Sequence, residues 1–322
     1  MNSAATLQPE RAPHAGPLCH ATLIVRQLEP VAQAYRALGL SPTAEPMSVD
    51  PAQAQAWGHP MLQNCRQQML ATQAQGGAAA PLLRLIEHPN AQPRPTRFSQ
   101  GWLALEILVR DVDALAAHLS AAQASATGAI TGVRTCVASD DSSPGFDIVG
   151  PPADLDVSPA IRAMQLVGPA GEMLYLTQVK APVPPFDIPL SSSLAPSSPA
   201  LGPLFIAVLS TPSRSATLAA CAPLRPRQIL QFDTKITVLN RALGHDITRR
   251  WPVATAQWAG ASLFEIDEVA DPQVTAAPLA TDALPCGLAW VTMVVPAALS
   301  ATLPPGRLFA VSPGAWVETV AG

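Results

Sequence analysis

Charged residues are scarce in this 322-residue chain: they make up 13% of it, whereas hydrophobic residues make up 48%. The formal net charge is -4, and no run rich in lysine and arginine occurs. Such a chain has no basic field able to neutralise a phosphate backbone, so we expect no nucleic-acid partner. The high apolar fraction favours a compact globular protein over a disordered one.

Long apolar runs and a secretory leader are also lacking. Proline, serine, arginine or aspartate interrupts every stretch that approaches the roughly 18 apolar residues needed to cross a membrane. Residues 1–17 have no basic start followed by an apolar run, and Glu10 and Arg11 interrupt them. We therefore expect a cytoplasmic protein without a membrane partner.

The sequence contains no familiar cysteine framework or catalytic motif. Its five cysteines are scattered and odd in number, and they show no Cys-x-x-Cys spacing, which favours reduced thiols over disulfides or a zinc site: Cys19, Cys65, Cys136, Cys221 and Cys286. Glycine-rich phosphate-binding loops, a Gly-x-Ser-x-Gly elbow and a His-Glu-x-x-His helix are absent too. We expect four further histidines in polar or loop-like surroundings to be solvated: His59, His88, His118 and His245.

Four segments of the chain share one pattern, in which a short apolar strand leads through a polar hinge into an Ala/Leu-rich amphipathic stretch. The opening strands are predicted at 20–25, 102–107, 205–209 and 290–295. Each segment also has a predicted closing strand, at 82–87, 172–177, 262–266 and 315–319. The clearest helix follows the first opening strand, because its apolar residues recur every three or four positions and Gly39 is suited to end it.

Prolines and serines crowd the middle of the chain between residues 180 and 203. Proline denies the backbone both helical and ladder hydrogen bonds, so we predict a linker at 181–200. This places one domain at 18–180, with units 18–90 and 101–180, and a second, degenerate domain at 201–322, whose last unit is short. Residues 1–17 are predicted to be a flexible tail.

Two phrases of the sequence carry a family resemblance. In His20 to Leu40, a histidine on a strand precedes a helix that contains Tyr35-Arg36, as in the first βα unit of glyoxalase-type modules. Val167 to Leu176 is similar to the closing hairpin of those modules. The chain thus resembles the vicinal oxygen chelate superfamily of glyoxalases, bleomycin-resistance proteins and extradiol dioxygenases, well over 18–180 and by analogy over 201–320. The resemblance implies an α+β fold of tandem βαβββ modules, paired into two curved-sheet domains.

The resemblance also implies a divalent metal, held by residues from the opening and closing strands of paired modules. The positions carried over are, in the first domain, His20, Arg84, Trp102 and Tyr175, and in the second, Phe205, Glu265, Trp290 and Glu318. His20 is the one ordinary ligand of the first set, since arginine offers no lone pair and tryptophan offers only an N–H donor. The ligand set for a metal is therefore incomplete.

Strand alternation places His20, Thr22 and Ile24 on one face, and Trp102, Ala104 and Glu106 on one face. If the first two units pair as the resemblance implies, these faces line a single cavity.

Arg84 and Tyr175 join that cavity from the closing strands. We expect Arg84, Trp102 and Thr22 to bind a substrate there, and His20, Glu106 and Tyr175 to take catalytic roles.

Two arrangements that include no binding site are alternatives to this prediction. In the first domain, an Arg84–Glu106 ion pair fills the barrel while His20 and Trp102 are merely packed. In the second domain, Glu265 and Glu318 either share a proton or are ordinary surface positions on edge strands.

The leading functional hypothesis is a glyoxalase- or dioxygenase-like enzyme, of the lyase, isomerase or dioxygenase class, acting on a small oxygenated organic acid. The alternatives are a metal-free small-molecule-binding protein of the bleomycin-resistance kind and a structural, dimerising protein. A small organic molecule is the expected partner, and a homodimer is left open.

Overall fold

The computed structural model describes residues 13–72, 81–92, 98–126, 145–156, 158–196, 201–275 and 284–322. The strands within these ranges are β1 (Leu18–Val25), β2 (Leu40–Pro42), β3 (Met47–Ser48), β4 (Arg66–Thr72), β5 (Pro81–Glu87), β6 (Gly101–Val109), β7 (Asp147–Leu155), β8 (Ser158–Val167), β9 (Met173–Val179), β10 (Leu201–Thr211), β11 (Gln228–Lys235), β12 (Arg250–Gln257), β13 (Leu263–Glu268), β14 (Gly287–Val295), β15 (Leu308–Ser312) and β16 (Ala315–Ala321). The α-helices are α1 (Leu28–Tyr35), α2 (Pro51–Ala56), α3 (Val112–Ala126), α4 (Arg214–Cys221) and α5 (Thr237–Leu243).

The strands form two curled sheets of eight strands each. The first sheet has the order β15-β16-β14-β1-β5-β4-β2, with β3 on β4, and the second has the order β11-β12-β13-β10-β6-β9-β8-β7. Within each unit the opening and closing strands lie side by side and parallel, as β1 does with β5 and β6 with β9. The predicted α+β fold of paired βαβββ modules is confirmed.

The partners within each pair are not the expected ones. β1 pairs antiparallel with β14, and β6 pairs antiparallel with β10, so the first unit shares a sheet with the fourth and the second with the third. The expected pairing of units 18–90 and 101–180 was therefore wrong. The proline-rich segment between β9 and β10 joins two units of one sheet, and its role as a domain boundary stays a prediction.

The largest core lies between one face of each sheet and the helices α1, α3 and α4. Helix α1 contributes Leu28, Val31 and Tyr35 from a single stripe, and Gly39 ends the following 3-10 turn with φ 83°, as its position in the sequence predicted. The opposite face of each sheet, here called its inner face, carries a smaller apolar cluster and the polar residues described below.

The fourth unit is short, as expected. Among the described residues it has three strands, and the 3-10 turn Ala297–Leu299 stands where the other units have a helix. The four cysteines that the structure describes are free thiols, in line with the prediction, and Cys136 lies outside the described residues. No helix in the described part of the chain is long and apolar enough to cross a membrane. The cytoplasmic location stays a prediction.

Candidate functional sites

The candidate residues fall into two groups, one on the inner face of each sheet. The first polar cluster comprises His20, Thr22, Arg84, Thr292 and Glu318. The second polar cluster comprises Glu106, Tyr175, Thr177, Glu265 and Asp267. Trp102 belongs to neither. The expected single cavity shared by His20, Trp102 and Tyr175 does not form, because their strands belong to different sheets or faces.

The first polar cluster lies on four adjacent strands, β16, β14, β1 and β5. Thr22 stands beside Arg84, and Thr292 stands between His20 and Glu318. The predicted alternation of the opening strand is confirmed here, because the odd-numbered positions around Thr22 point into the main core.

A buried ion pair is the centre of the first polar cluster. Arg84 Nη2 donates to Glu318 Oε2, with the two side chains only 11% and 3% exposed. Arg84 also donates from Nε and Nη2 to Thr22 Oγ1, at 3.0 and 2.8 Å. The opposite charge lowers the pKa of Glu318 against the desolvation that would raise it. Both partners are ionised and hydrogen-bonded, so this cluster is electrostatically satisfied.

His20 is attached to the ion pair through a hydroxyl group. Thr292 Oγ1 donates to Glu318 Oε2 at 2.7 Å and lies 3.1 Å from His20 Nε2. Since the threonine proton goes to the carboxylate, we assign the Nε2–H tautomer to His20, which then donates to Thr292. Burial, together with the charge of Arg84, lowers the pKa of His20 to about 4. The imidazole is therefore neutral near pH 7.

Aromatic side chains cover the first polar cluster. The indole of Trp57, just after α2, donates to Glu318 Oε1 at 2.9 Å, and the Arg84 guanidinium carbon lies 4.7 Å from that ring and 5.7 Å from the ring of Trp290. His59 stacks on Trp290 with ring centroids 5.9 Å apart and is partly exposed. Trp57 was not among the predicted site residues, and it lies in the stretch between the opening and closing strands.

Three expectations about Arg84 and Glu318 were wrong. Arg84 pairs with Glu318 and not with Glu106, which lies in the other sheet. Glu318 is not an exposed edge position, since β16 lies between β14 and β15. Glu318 and Glu265 cannot share a proton either, because they lie in different sheets. The expected Arg84–Glu106 pair and the expected shared proton follow from the assumed pairing of the units, whereas the edge position of Glu318 was expected because β15 was not predicted.

The donor set of the first polar cluster does not fit a divalent metal. Its carboxylate already binds a guanidinium, and arginine has no lone pair to offer an ion. The described residues also contain no group of three or more His, Cys, Asp or Glu side chains that could hold a metal ion. The metal implied by the sequence resemblance has no ligand set in the part of the chain that the structure describes.

The second polar cluster lies on strands β9, β6 and β13, with β10 between the last two. Glu106 stands beside Tyr175, and Glu265 and Asp267 follow one another on the same face of β13. Thr177 Oγ1 donates to Glu106 Oε1 at 2.6 Å. Asp267, 1% exposed, was missed by the sequence analysis because the predicted closing strand ended at residue 266.

The acids of the second polar cluster hold their protons unusually tightly. Burial, assisted by the charge of Glu265, raises the pKa of Glu106 to about 8. Burial raises the pKa of Glu265 to about 7, against a hydrogen bond with Asp267 that lowers it. The pKa values of Asp267 and Tyr175 are raised as well, first by burial and then by the neighbouring acids. Near neutral pH this surface carries mostly protonated carboxyl groups.

Polar atoms without a hydrogen-bond partner crowd the inner face of the second sheet. Within the described residues these buried atoms are Tyr175 Oη, Ser210 Oγ, Thr255 Oγ1, the Gln257 amide and Asp267 Oδ1. The strand register places all of them on one face, because Ser210 stands beside Asp267 and Thr255 beside Glu265. A buried unpaired polar group costs about 1–3 kcal/mol, so this face has hydrogen-bonding capacity that the described residues leave unused.

Apolar residues complete the surroundings of this face. Trp251 and Leu239 pack there, and the Trp251 indole is fixed by a 2.7 Å hydrogen bond to Asn240 Oδ1 of α5. Across the sheet, Lys235 at the end of β11 forms an ion pair with Asp156, which follows β7. Because β11 and β7 are opposite edges, this contact shows how strongly the sheet curls around its inner face.

Trp102 is separated from Glu106 by an irregularity in β6. The register shifts between Val208, beside Ala104, and Leu209, beside Trp102, so β6 holds one extra residue there. The bulge turns Trp102 into the main core, where its indole donates to the Trp316 carbonyl at 2.7 Å. The expectation that Trp102, Ala104 and Glu106 share one face was therefore wrong. The catalytic and binding roles assigned to the candidate residues stay predictions.

At the level of sequence, no family model and no curated protein matches this chain. Several solved structures share its fold. A glyoxalase I variant from Zea mays matches with a TM-score of 0.55 at 13% identity, covering 94% of this chain and 93% of that one. A dioxygenase-like protein from Bacillus subtilis subsp. subtilis str. 168 matches with a TM-score of 0.50 at 9% identity, covering 88% of this chain and 71% of that one.

These neighbours have the vicinal oxygen chelate fold, which confirms the resemblance inferred from the sequence at the level of the fold. The chain is a two-sheet protein of this fold. At such low identity the likeness shows the fold alone. Any chemistry has to be inferred from the residues on the inner faces of this chain.

Proposed function

We propose that this chain is a metal-free small-molecule-binding protein whose ligand lies on the inner face of the second sheet. The observation that carries the proposal is the set of buried, unpaired polar atoms around the second polar cluster. A ligand that offers hydrogen-bond partners to Tyr175, Thr255 and Asp267 would remove much of the cost of burying them.

The first polar cluster is less suited to binding a ligand than the second. Its charged groups are mutually paired, and its carboxylate accepts from Arg84, Trp57 and Thr292. A ligand entering there would have to break a buried ion pair. The organic acid expected at Arg84 would compete with a carboxylate that the chain itself supplies.

A fragment screen tests this function. Small amines, alcohols and carboxylic acids with aromatic bodies are presented to the protein, and binding is followed by ligand-observed NMR. We expect binders that Thr255→Val and Glu265→Gln weaken. Glu268→Gln is the matched control, because Glu268 lies on the other face of β13 and accepts from the backbone N–H of Arg214. Binders that are indifferent to all three substitutions, or no binder at all, would refute the proposal.

A second candidate function is metal-free acid–base catalysis of the isomerase or lyase kind at the same face. It is favoured by the two carboxyl groups Glu265 and Glu106, whose pKa values of about 7 and about 8 suit a proton acceptor and a proton donor near neutral pH. Incorporation of deuterium from heavy water into a bound ligand tests it. Exchange that persists in Glu265→Gln and in Glu106→Gln would exclude this role.

We also propose that the chain forms a homodimer, and one feature supports this. The edge strand β11 exposes Ile229 and Phe232, and an unpaired apolar edge is suited to pairing with a second copy. Sedimentation equilibrium of the wild type beside Ile229→Lys tests this directly, since a charge on the edge opposes strand pairing. A monomer in both cases would exclude the dimer.

A further inference from the structure

We propose that the ligand of the second polar cluster is an organic cation with an aromatic or apolar body, such as an arylalkylammonium ion. This inference rests on the proposed function and names the chemical class of its ligand. Two features carry it: the acidic side chains that share the inner face of the second sheet, and the buried unpaired acceptors on that face.

The charged groups that act on the second polar cluster are all acids. Glu106, Glu265, Asp267 and Tyr175 are influenced electrostatically by one another, and no lysine or arginine contributes. Acidic groups buried without a counter-charge are costly when ionised.

Three described cations of the second sheet are engaged with other groups. Arg162 binds Asp113 on the helix-bearing side of β8. Lys235 binds Asp156 at the rim of the sheet. Arg249 lies over Trp251, with its guanidinium carbon 4.0 Å from the ring centroid, and faces Asp271 at 3.9 Å. These cations leave the inner face without a counter-charge, so its buried carboxyl groups can ionise fully only when a ligand supplies one.

The unpaired atoms point to the same conclusion independently of charge. Asp267 Oδ1, Thr255 Oγ1 and Ser210 Oγ belong to residues that are at most 6% exposed, and all lie on the inner face. A carboxylate oxygen is an acceptor, and a hydroxyl group accepts as readily as it donates. An ammonium group is a donor with three N–H bonds, so it matches this arrangement where a second carboxylate would not.

A bare metal ion matches the arrangement poorly. Glu106 on β6 and Glu265 on β13 are separated by β10, which places their backbones about 10 Å apart at the usual strand spacing. No group of three or more His, Cys, Asp or Glu side chains in the described ranges could hold one ion. The cation is therefore carried by a larger molecule, whose body can pack on Trp251, Leu239 and Phe186.

An isosteric charge series tests the inference. Benzylammonium, benzyl alcohol and benzoate have the same ring and differ in charge, and each is titrated into the full-length protein by calorimetry at pH 7 in two buffers of different ionisation enthalpy. We expect benzylammonium to bind at least tenfold more tightly than the other two. We also expect it to release protons, because a nearby positive charge favours ionised carboxyl groups.

Variants assign the effect to the inner face. Glu265→Gln should weaken benzylammonium binding about tenfold and leave benzyl alcohol nearly unchanged, while Glu268→Gln should affect neither probe. Benzoate or benzyl alcohol binding as tightly as benzylammonium, with sensitivity to Thr255→Val, would overturn the cationic ligand and leave the proposed function standing. Failure of all three probes overturns this inference, and the fragment screen then decides the proposed function separately.

Discussion

Arg84 and Glu318 stand 234 positions apart in the chain and meet as a buried ion pair on the inner face of the first sheet. Arg84 occupies a closing-strand position at which the family resemblance leads one to expect a metal ligand. Its guanidinium instead supplies a cation that is covalently part of the chain, bound by the carboxylate of Glu318 and the hydroxyl group of Thr22 and covered by Trp57. The charged groups on the inner face of the first sheet are thereby bound by the chain's own side chains.

Removing one partner of this pair should destabilise the fold strongly. Arg84→Met leaves the Glu318 carboxylate buried without its counter-charge, which costs about 3–5 kcal/mol of unfolding free energy. The measurement is urea denaturation followed by circular dichroism. The double variant Arg84→Met with Glu318→Gln should lose less than the single variant, because no charge is then left unpaired.

An exposed ion pair is the control for that experiment. Arg227 and Asp187 also form an ion pair, but Asp187 is 76% exposed. Asp187→Asn should change the free energy of unfolding by less than about 1 kcal/mol. Equal costs for Arg84→Met and Asp187→Asn would contradict the structural role given to Arg84.

A single substitution should turn the first polar cluster towards metal binding. Arg84→His removes the tethered cation and adds an imidazole to the histidine and carboxylate already present at His20 and Glu318. Three such ligands are a set that Zn²⁺ accepts. We expect Zn²⁺ to raise the melting temperature of Arg84→His and not that of the wild type. The added variant His20→Ala should abolish the rise, and a rise that survives it would place the ion elsewhere.

The two neighbours of His20 should shift its pKa in opposite directions. That pKa is lowered to about 4 by burial and by Arg84, whereas Glu318 raises it. Arg84→Met should therefore raise the pKa of His20, and Glu318→Gln should lower it further. Imidazole chemical shifts followed by NMR across pH 3–8 give both values. Shifts of the same sign in the two variants would be incompatible with the geometry described.

Local features of this chain were predictable from its sequence. His20, Thr22 and Ile24 share a face because alternation in a strand is a matter of backbone geometry alone. Gly39 ends the first helical segment because it can take the positive φ needed there. The four opening strands and their closing partners were found in the same way, from apolar patterns that local sequence contains.

The pairing of units was not predictable, for a physical reason. β1, β6, β10 and β14 are largely buried on both faces, so burial alone does not determine which of them lie side by side. The face of β6 on which Trp102 lies was not predictable either, since the bulge in β6 occurs where residues on both faces are buried. The candidate residues were therefore mostly identified, but they were grouped into the wrong cavity.

Because the folded chain raises the pKa of Glu106, the protein should become less stable as the pH rises. The pKa of this group is about 8 in the folded chain against an ordinary value of 4.5. Below pH 4.5 both folded and unfolded chains carry the proton. Between that value and pH 8 only the unfolded chain loses it, so the unfolded state is favoured by up to about 1.4 kcal/mol for each pH unit.

Glu106→Gln removes this penalty while keeping an oxygen that can accept from Thr177 Oγ1. We expect the unfolding free energy of the variant, relative to that of the wild type, to rise by about 4 kcal/mol from pH 5 to pH 8.5. Denaturation curves at several pH values supply the comparison, with Glu268→Gln, on the other face of β13, as the control. Parallel stability profiles for Glu106→Gln and the wild type would mean that Glu106 ionises normally, and the acid–base role proposed for it would fall with that result.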